Sequence, residues 1–411
     1  MSELPRRTLL RGLAAVPALL ATGCSGGQQR GPTQSPPPAG PASPTRVRRA
    51  PDWAALAADL DRRAADGSFS GAVLVADRNT DLLARGYGTA DRTSGTTNSP
   101  GTRFCIASMG KMFTAVAVAQ LVEQGRLAFT DPLGRYVPGF PAGVADRVTL
   151  HQLLTHTAGF GDVLRRDGDG DPPTTLSGLV ERIRAEPLAF EPGTRFGYSN
   201  SGFVLLGAVV EAVAARPYAD HVREHVFAPA GMADTEVAVY RPAAVPGMAH
   251  GYARVGPDGR PVPPGPGPAP ASTSAEASAE ASGVALRDVS GDLQVGNPSG
   301  GAWSTVTDLR RFAHAVTAGT LLGPAMITTL LAGRVSVQRP GGPAQDRYAY
   351  GFEEQVVAGT RIVGHNGGTP GYEGQLDIYP DRGLVVAVLS NQDGQLVPVV
   401  RRTEELVSAP A

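Results

Sequence analysis

Phe104-Cys105-Ile106-Ala107-Ser108-Met109-Gly110-Lys111-Met112-Phe113 opens a run that stays apolar almost all round as far as Gly125, the pattern of a buried helix. Ser108 falls in the first turn of that helix, where backbone N–H groups have no intrahelical partner and the positive dipole end lies. Lys111 follows three residues later, about one turn on, so hydroxyl and amine share a face. Stripped of water, such an amine drops from about 10.4 toward neutrality and can take the serine proton. Arginine is no substitute, because guanidinium keeps its proton. Lys111 is also the only lysine in 411 residues, in a chain that otherwise uses arginine. With 22 serines present, a lone lysine would land three places after one of them roughly one time in twenty, so the pair needs companions. The bland alternative makes Ser108 a helix cap and Lys111 a solvated charge. Met109, Met112, Phe113 and Val116 leave such a charge little water.

Outward from this segment, residues 71–76 and 82–88 read as a strand hairpin turned near residues 78–81. Strand signals return at 348–357, 361–365, 375–379 and 384–390. A helix over 53–65 precedes the first pair, one over 397–407 closes the chain, and helical patterns dominate from 109 to about 226. Strands at both ends imply an α/β (α+β) fold: one antiparallel sheet flanked by helices, with a mainly helical subdomain inserted at about 126–298. The folded domain runs over 51–411, and its Pro-, Gly-, Ala- and Ser-rich stretch 256–283 reads as a surface excursion.

Residues 1–23 read as an export signal, with Arg6 and Arg7 ahead of the apolar stretch 9–20. Ala21-Thr22-Gly23-Cys24 resembles a lipoprotein cleavage site, making Cys24 the candidate lipidation residue, with plain secretory cleavage as the alternative. The paired arginines resemble a twin-arginine export motif. The apolar run is short and interrupted by Arg11 and Pro17, so it is not a membrane span. The expected location is the cell envelope, held to the outer face of the cytoplasmic membrane only through a lipid anchor. Residues 24–50 read as a disordered tether. A formal net charge of -1 excludes a dedicated nucleic-acid surface. Cys105, in an apolar setting, reads as an inert buried thiol.

Four further segments join the 104–125 run: residues 149–159 (Thr149-Leu150-His151-Gln152-Leu153-Leu154-Thr155-His156-Thr157-Ala158-Gly159), Tyr198-Ser199-Asn200, Gly300-Gly301-Ala302-Trp303-Ser304, and residues 364–372 around Gly364-His365-Asn366-Gly367-Gly368. In this order the set closely resembles the class C β-lactamase and D-Ala-D-Ala carboxypeptidase family, from Asp52 to the C terminus. The resemblance implies that Tyr198 is the second half of the base, relaying a proton to the leaving group. Asn200 would hydrogen-bond Lys111 and the substrate amide; the bland alternative is that Asn200 or Ser201 caps the helix over 203–214. His365-Asn366-Gly367 would stand in the place of the family's Lys-Thr-Gly on a strand edging the cleft, and the N–H groups of Ser108 and Gly368 would form the oxyanion hole. Histidine in place of a permanently charged lysine counts against efficient penicillin hydrolysis. No role follows for His151 or His156, and Trp303 and Ser304 read as the structural opening of a helix through Val316.

Two readings come from other classes. His221-Val222-Arg223-Glu224-His225 matches a zinc-peptidase spacing, without an evident third ligand. A non-catalytic, lipid-tethered binder would have lost the residues that Ser108, Lys111, Tyr198 and His365 preserve. Asp167, Asp169 and Asp171 fail as a calcium loop, because Pro172 stands where glycine is required. The expectation is an exported serine hydrolase that needs no cofactor or metal. It forms an acyl-enzyme on Ser108 from D-amino-acid peptide amides of the peptidoglycan type, with small esters as the alternative substrate and a true β-lactamase less favoured.

Overall fold

Gly71–Asp77 (β1) and Leu384–Ser390 (β8) lie side by side and antiparallel, Gly71 opposite Ser390 and Asp77 opposite Leu384. The computed structural model in which they are seen describes residues 51–409 apart from residue 79 and segments 165–172, 238–246, 258–261, 263–284, 293–295 and 338–345. The export signal, Cys24, the tether, Asp167, Asp169, Asp171 and most of the 256–283 excursion lie outside the described residues. β1 and β8 are nearly uniform in apolar character because both of their faces are covered. Ala72, Leu74, Ala387 and Leu389 look into the larger core, while Val73, Val75, Val386 and Val388 look into a second core.

The remaining strands extend the sheet both ways. Thr80–Tyr87 (β2) pairs with β1 on one side; on the other come Tyr372–Tyr379 (β7), Thr360–Thr369 (β6), Glu353–Val357 (β5), Arg347–Tyr348 (β4) and Val335–Ser336 (β3). The order is β2-β1-β8-β7-β6-β5-β4-β3, eight strands among the described residues, each neighbour antiparallel. Helices Trp53–Ala65 (α1) and Leu396–Ser408 cover one face through Leu56, Leu60, Leu396, Val399 and Val407. The other face carries helix Lys111–Glu123 (α2), with Asn200–Ala214 (α3) and Val306–Thr317 (α4). α2 is buried from Lys111 to Ala119, which explains its lack of a polar stripe. Phe113 anchors it, edge-on to Phe227 at 5.0 Å and to Phe312 at 4.9 Å.

The structure departs from the sequence reading at four places. The 348–357 run is two strands, broken where Gly351 adopts φ +69. Trp303–Ser304 does not open a helix; it pairs with Phe104–Cys105, and α4 starts after the capping side chain of Thr305. The inserted region carries helices such as Leu176–Ala185, yet Tyr252–Val255 and Ala285–Asp288 also form a two-stranded ladder there. Finally, Ser108 is not in α2 itself but in a 3₁₀ turn, Ala107–Gly110, that leads into it.

Because Phe113 is fully buried between two rings, Phe113→Ala is expected to lower stability by about 3–5 kcal/mol. Urea unfolding followed by circular dichroism reads this out; a change under 1 kcal/mol would show that α2 is anchored elsewhere.

Candidate active site

The 3₁₀ turn is pinned from two sides. Ile106 N–H donates to Ala302 O at 2.9 Å, and Gly301 N–H donates to Ala107 O at 3.3 Å. Ala107 takes φ +44, a left-handed conformation that non-glycine residues adopt only under constraint. Ser108 follows, partly buried, at a position whose backbone N–H has no partner within the turn. A Cβ on Gly300 would come within 2.8 Å of Ala107 O, so only glycine lets residues 298–301 lie this close.

Lys111, at the start of α2, is fully buried. Its Nζ donates to Ser108 Oγ at 3.1 Å, to Asn200 Oδ1 at 2.6 Å and to Ser299 O at 2.6 Å. Burial pulls the amine down from about 10.5 to about 7, against the upward pull of the Asp162 and Glu353 carboxylates. Close to neutral pH, therefore, an unprotonated fraction is available to accept a proton from Ser108.

Asn200 reaches this point from the first turn of α3. The cap is neither Asn200 nor Ser201 but Ser199, whose side chain accepts Ser201 N–H. Tyr198 precedes the cap, 42% exposed, with its ring centroid 4.8 Å from Lys111 Nζ. The Tyr198 ring also lies against His156, at 4.3 Å between centroids, and 6.5 Å from the ring of His365. His156 is buried at φ +56 and accepts Ser199 N–H on Nδ1. Burial first, then the charges of Lys111 and His365, hold its proton affinity well below that of ordinary histidine. It is thus a neutral platform beneath Tyr198.

Strand β6 supplies the other wall. A Cβ on Gly367 would lie 2.2 Å from Ile106 O and 3.1 Å from Ser108 N, so glycine is what lets the strand pass the nucleophile turn. Gly368 comes next, exposed, with open space where a Cβ would point. His365 lies on the same strand, two residues before Gly367. It is fully buried, its Nε2 3.0 Å from the Tyr348 hydroxyl and its Nδ1–H donating to the Asn366 carbonyl. Neighbouring Asn366 is the exposed side chain.

The structure therefore brings Ser108, Lys111, Asn200 and the Tyr198 ring together and sets Gly367 beside them, with the buried His365 ring 6.5 Å from that of Tyr198. Among the described residues no group of three His, Cys, Asp or Glu side chains lies close enough to hold a metal ion. The His221 and His225 rings lie 4.5 Å apart, tilted by 47°, at a π-helical turn, Arg223–Phe227, and burial holds His221 down to about 4. His151 bonds the Tyr350 hydroxyl at 2.8 Å. Sequence reasoning missed Ser299, which contributes only a carbonyl, and Asp162 and Glu353. Asp162 stands three residues beyond the recognised 149–159 segment.

The Beta-lactamase family profile matches residues 56–409. A penicillin-binding protein of Bacillus subtilis (strain 168) is 30% identical over 334 residues, 79% of this chain and 68% of that protein. Esterase EstB of Burkholderia gladioli is 30% identical over 374 residues, 82% of this chain and 90% of the esterase. The crystal structure of a penicillin binding protein from Bacillus halodurans matches with a TM-score of 0.70 at 29% identity, covering 84% of this chain and 98% of that one. D-amino acid amidase from Ochrobactrum anthropi SV3 also reaches 0.70, at 23% identity over 87% of this chain and 98% of that one, a likeness of fold.

A methyl group at position 367 has no room beside Ile106 O. Gly367→Ala is expected to displace Ser108 and slow its acylation about 100-fold. Mass-spectrometric labelling by a fluorophosphonate reads this directly, and an unchanged rate would mean that the strand does not set the nucleophile's position.

Proposed function

The chain belongs to the beta-lactamase family and is a serine hydrolase, and from that premise we propose that it hydrolyses amides or esters lacking a carboxylate beside the scissile bond, through an acyl-enzyme on Ser108. The carrying observation is the Lys111 amine, buried, drawn down to about 7 and 3.1 Å from Ser108 Oγ. In the proposed cycle the Ser108 proton passes to Lys111 Nζ while Oγ attacks the substrate carbonyl. The N–H groups of Ser108 and Gly368 receive the oxyanion. Lys111, with Tyr198 as relay, returns the proton to the departing amine or alcohol, and water then cleaves the serine ester.

The substrate class follows from hydrogen-bond accounting. The three N–H bonds of a protonated Lys111 are directed to Ser108, Asn200 and Ser299. Both His365 ring nitrogens are engaged in the interior. Neither Lys111 nor His365 thus has a donor left for a substrate carboxylate. This supports small esters and D-amino-acid amides over peptides ending in a free carboxylate such as D-Ala-D-Ala. The reading includes export, with Cys24 carrying lipid, as the segment 6–24 suggests.

The test is intact mass and turnover of the soluble domain with a p-nitrophenyl ester, a D-alanine anilide and benzylpenicillin, beside Ser108→Ala. We expect ester and anilide turnover that Ser108→Ala abolishes, and slow or absent penicillin adduct. A lasting penicillin adduct would instead favour the carboxypeptidase reading. Lys111→Arg is expected to retain the thermal midpoint and lose about 1000-fold in turnover; near-normal activity would remove Lys111 as the base.

A further inference from the structure

Residues 161–163 are tied to the first turn of α3 at several points. The hydroxyls of Ser199 and Ser201 both donate to Gly161 O, at 2.6 and 2.7 Å, and Ser201 Oγ accepts Val163 N–H at 2.9 Å. Between these ties stands Asp162, whose Oδ1 accepts Leu164 N–H at 3.1 Å. Asn200 Nδ2 donates to both Asp162 oxygens, at 3.1 and 3.0 Å, while Asn200 Oδ1 accepts from Lys111.

The chemistry of these groups makes the amide's orientation unique. An ionised carboxylate only accepts, and a side-chain amide has one accepting and one donating end. If the Asn200 amide flipped, two carboxylate oxygens would face a carbonyl oxygen, and the amide N–H groups would face those of a protonated Lys111.

We infer that Asp162 is a positioning residue for the reaction: through Asn200 it fixes which end of the amide meets the Lys111 amine. Its carboxylate is also one of the two negative charges that act on that amine, against the larger effect of burial. The inference rests on the reading of Ser108 and Lys111 as nucleophile and base. Other groups also act on the amine. Glu353 from β5 is the second carboxylate; neutral His156 and the Tyr198 ring pack beside it. Removing the Asp162 charge leaves Glu353 as the carboxylate favouring the ammonium, so the amine should release its proton at lower pH.

The test uses fluorophosphonate labelling of Ser108, in which an Oγ–P bond forms, fluoride leaves and the serine proton passes to Lys111. Its rate against pH should show an acid limb near 7 in the unaltered enzyme. In Asp162→Asn we expect that limb about one pH unit lower and the plateau at least tenfold slower, because the amide can now flip. A merely structural role would lower the plateau and leave the limb where it was. An Asp162→Asn profile whose limb coincides with that of the unaltered enzyme overturns the inference, whatever its plateau. Should that variant not fold, Asp162→Ser, which retains an acceptor for Leu164 N–H, carries the same expectation. Failure of the unaltered enzyme to label at all would overturn the nucleophile reading, and this inference with it.

Discussion

An amine with no access to water must find its partners in the protein, and the arrangement around Lys111 Nζ follows from that requirement. A fully solvated ammonium would be a poor base, whereas a buried one without acceptors would be costly to keep. Here the amine is given three oxygens: the Ser108 hydroxyl, the Asn200 amide and the Ser299 carbonyl. Each comes from a different part of the chain, so the turn at 107–110, the start of α3 and the loop at 298–301 are all held to the start of α2. Thr114, one turn along α2, extends the clamp by donating to Pro298 O at 2.6 Å.

Sheet and site are coupled through small residues. Strand β6 approaches the nucleophile turn because Gly367 has no side chain, and residues 298–301 approach it from the other side because Gly300 has none. The left-handed Ala107 between them is a constraint the surrounding hydrogen bonds maintain. The charges felt by the amine, Asp162 and Glu353, are both negative. They moderate the effect of burial and leave Lys111 near neutrality, so base strength reflects a balance between desolvation and two carboxylates.

Much of the architecture was legible because burial wrote it into the pattern. β1 and β8 are continuous apolar runs, α1 and the closing helix are amphipathic, and α2 is apolar all round. The lone lysine marked the base for a different reason: a residue type that occurs once stands out. What stayed hidden depended on tertiary partners. Trp303 and Ser304 form a strand because Phe104 and Cys105 lie opposite, with Glu236 pairing Trp303 as well. His365 is buried against the hydroxyl of Tyr348, seventeen residues earlier in the chain. Ser299 acts through its backbone, which no residue type announces. Asp162 acquires meaning only through the amide of Asn200, thirty-eight residues away.

Whether Lys111 is a neutral-pH base can be weighed directly from the sequence. Because Lys111 is the only lysine, protein labelled with ¹³C-lysine gives one side-chain Cε resonance, and its shift against pH reports that amine alone. A single titration with a midpoint near 7 is expected, the value to which burial brings it. A midpoint near the ordinary lysine value of about 10.4 would contradict it, leaving Ser108 without the base on which the site is built.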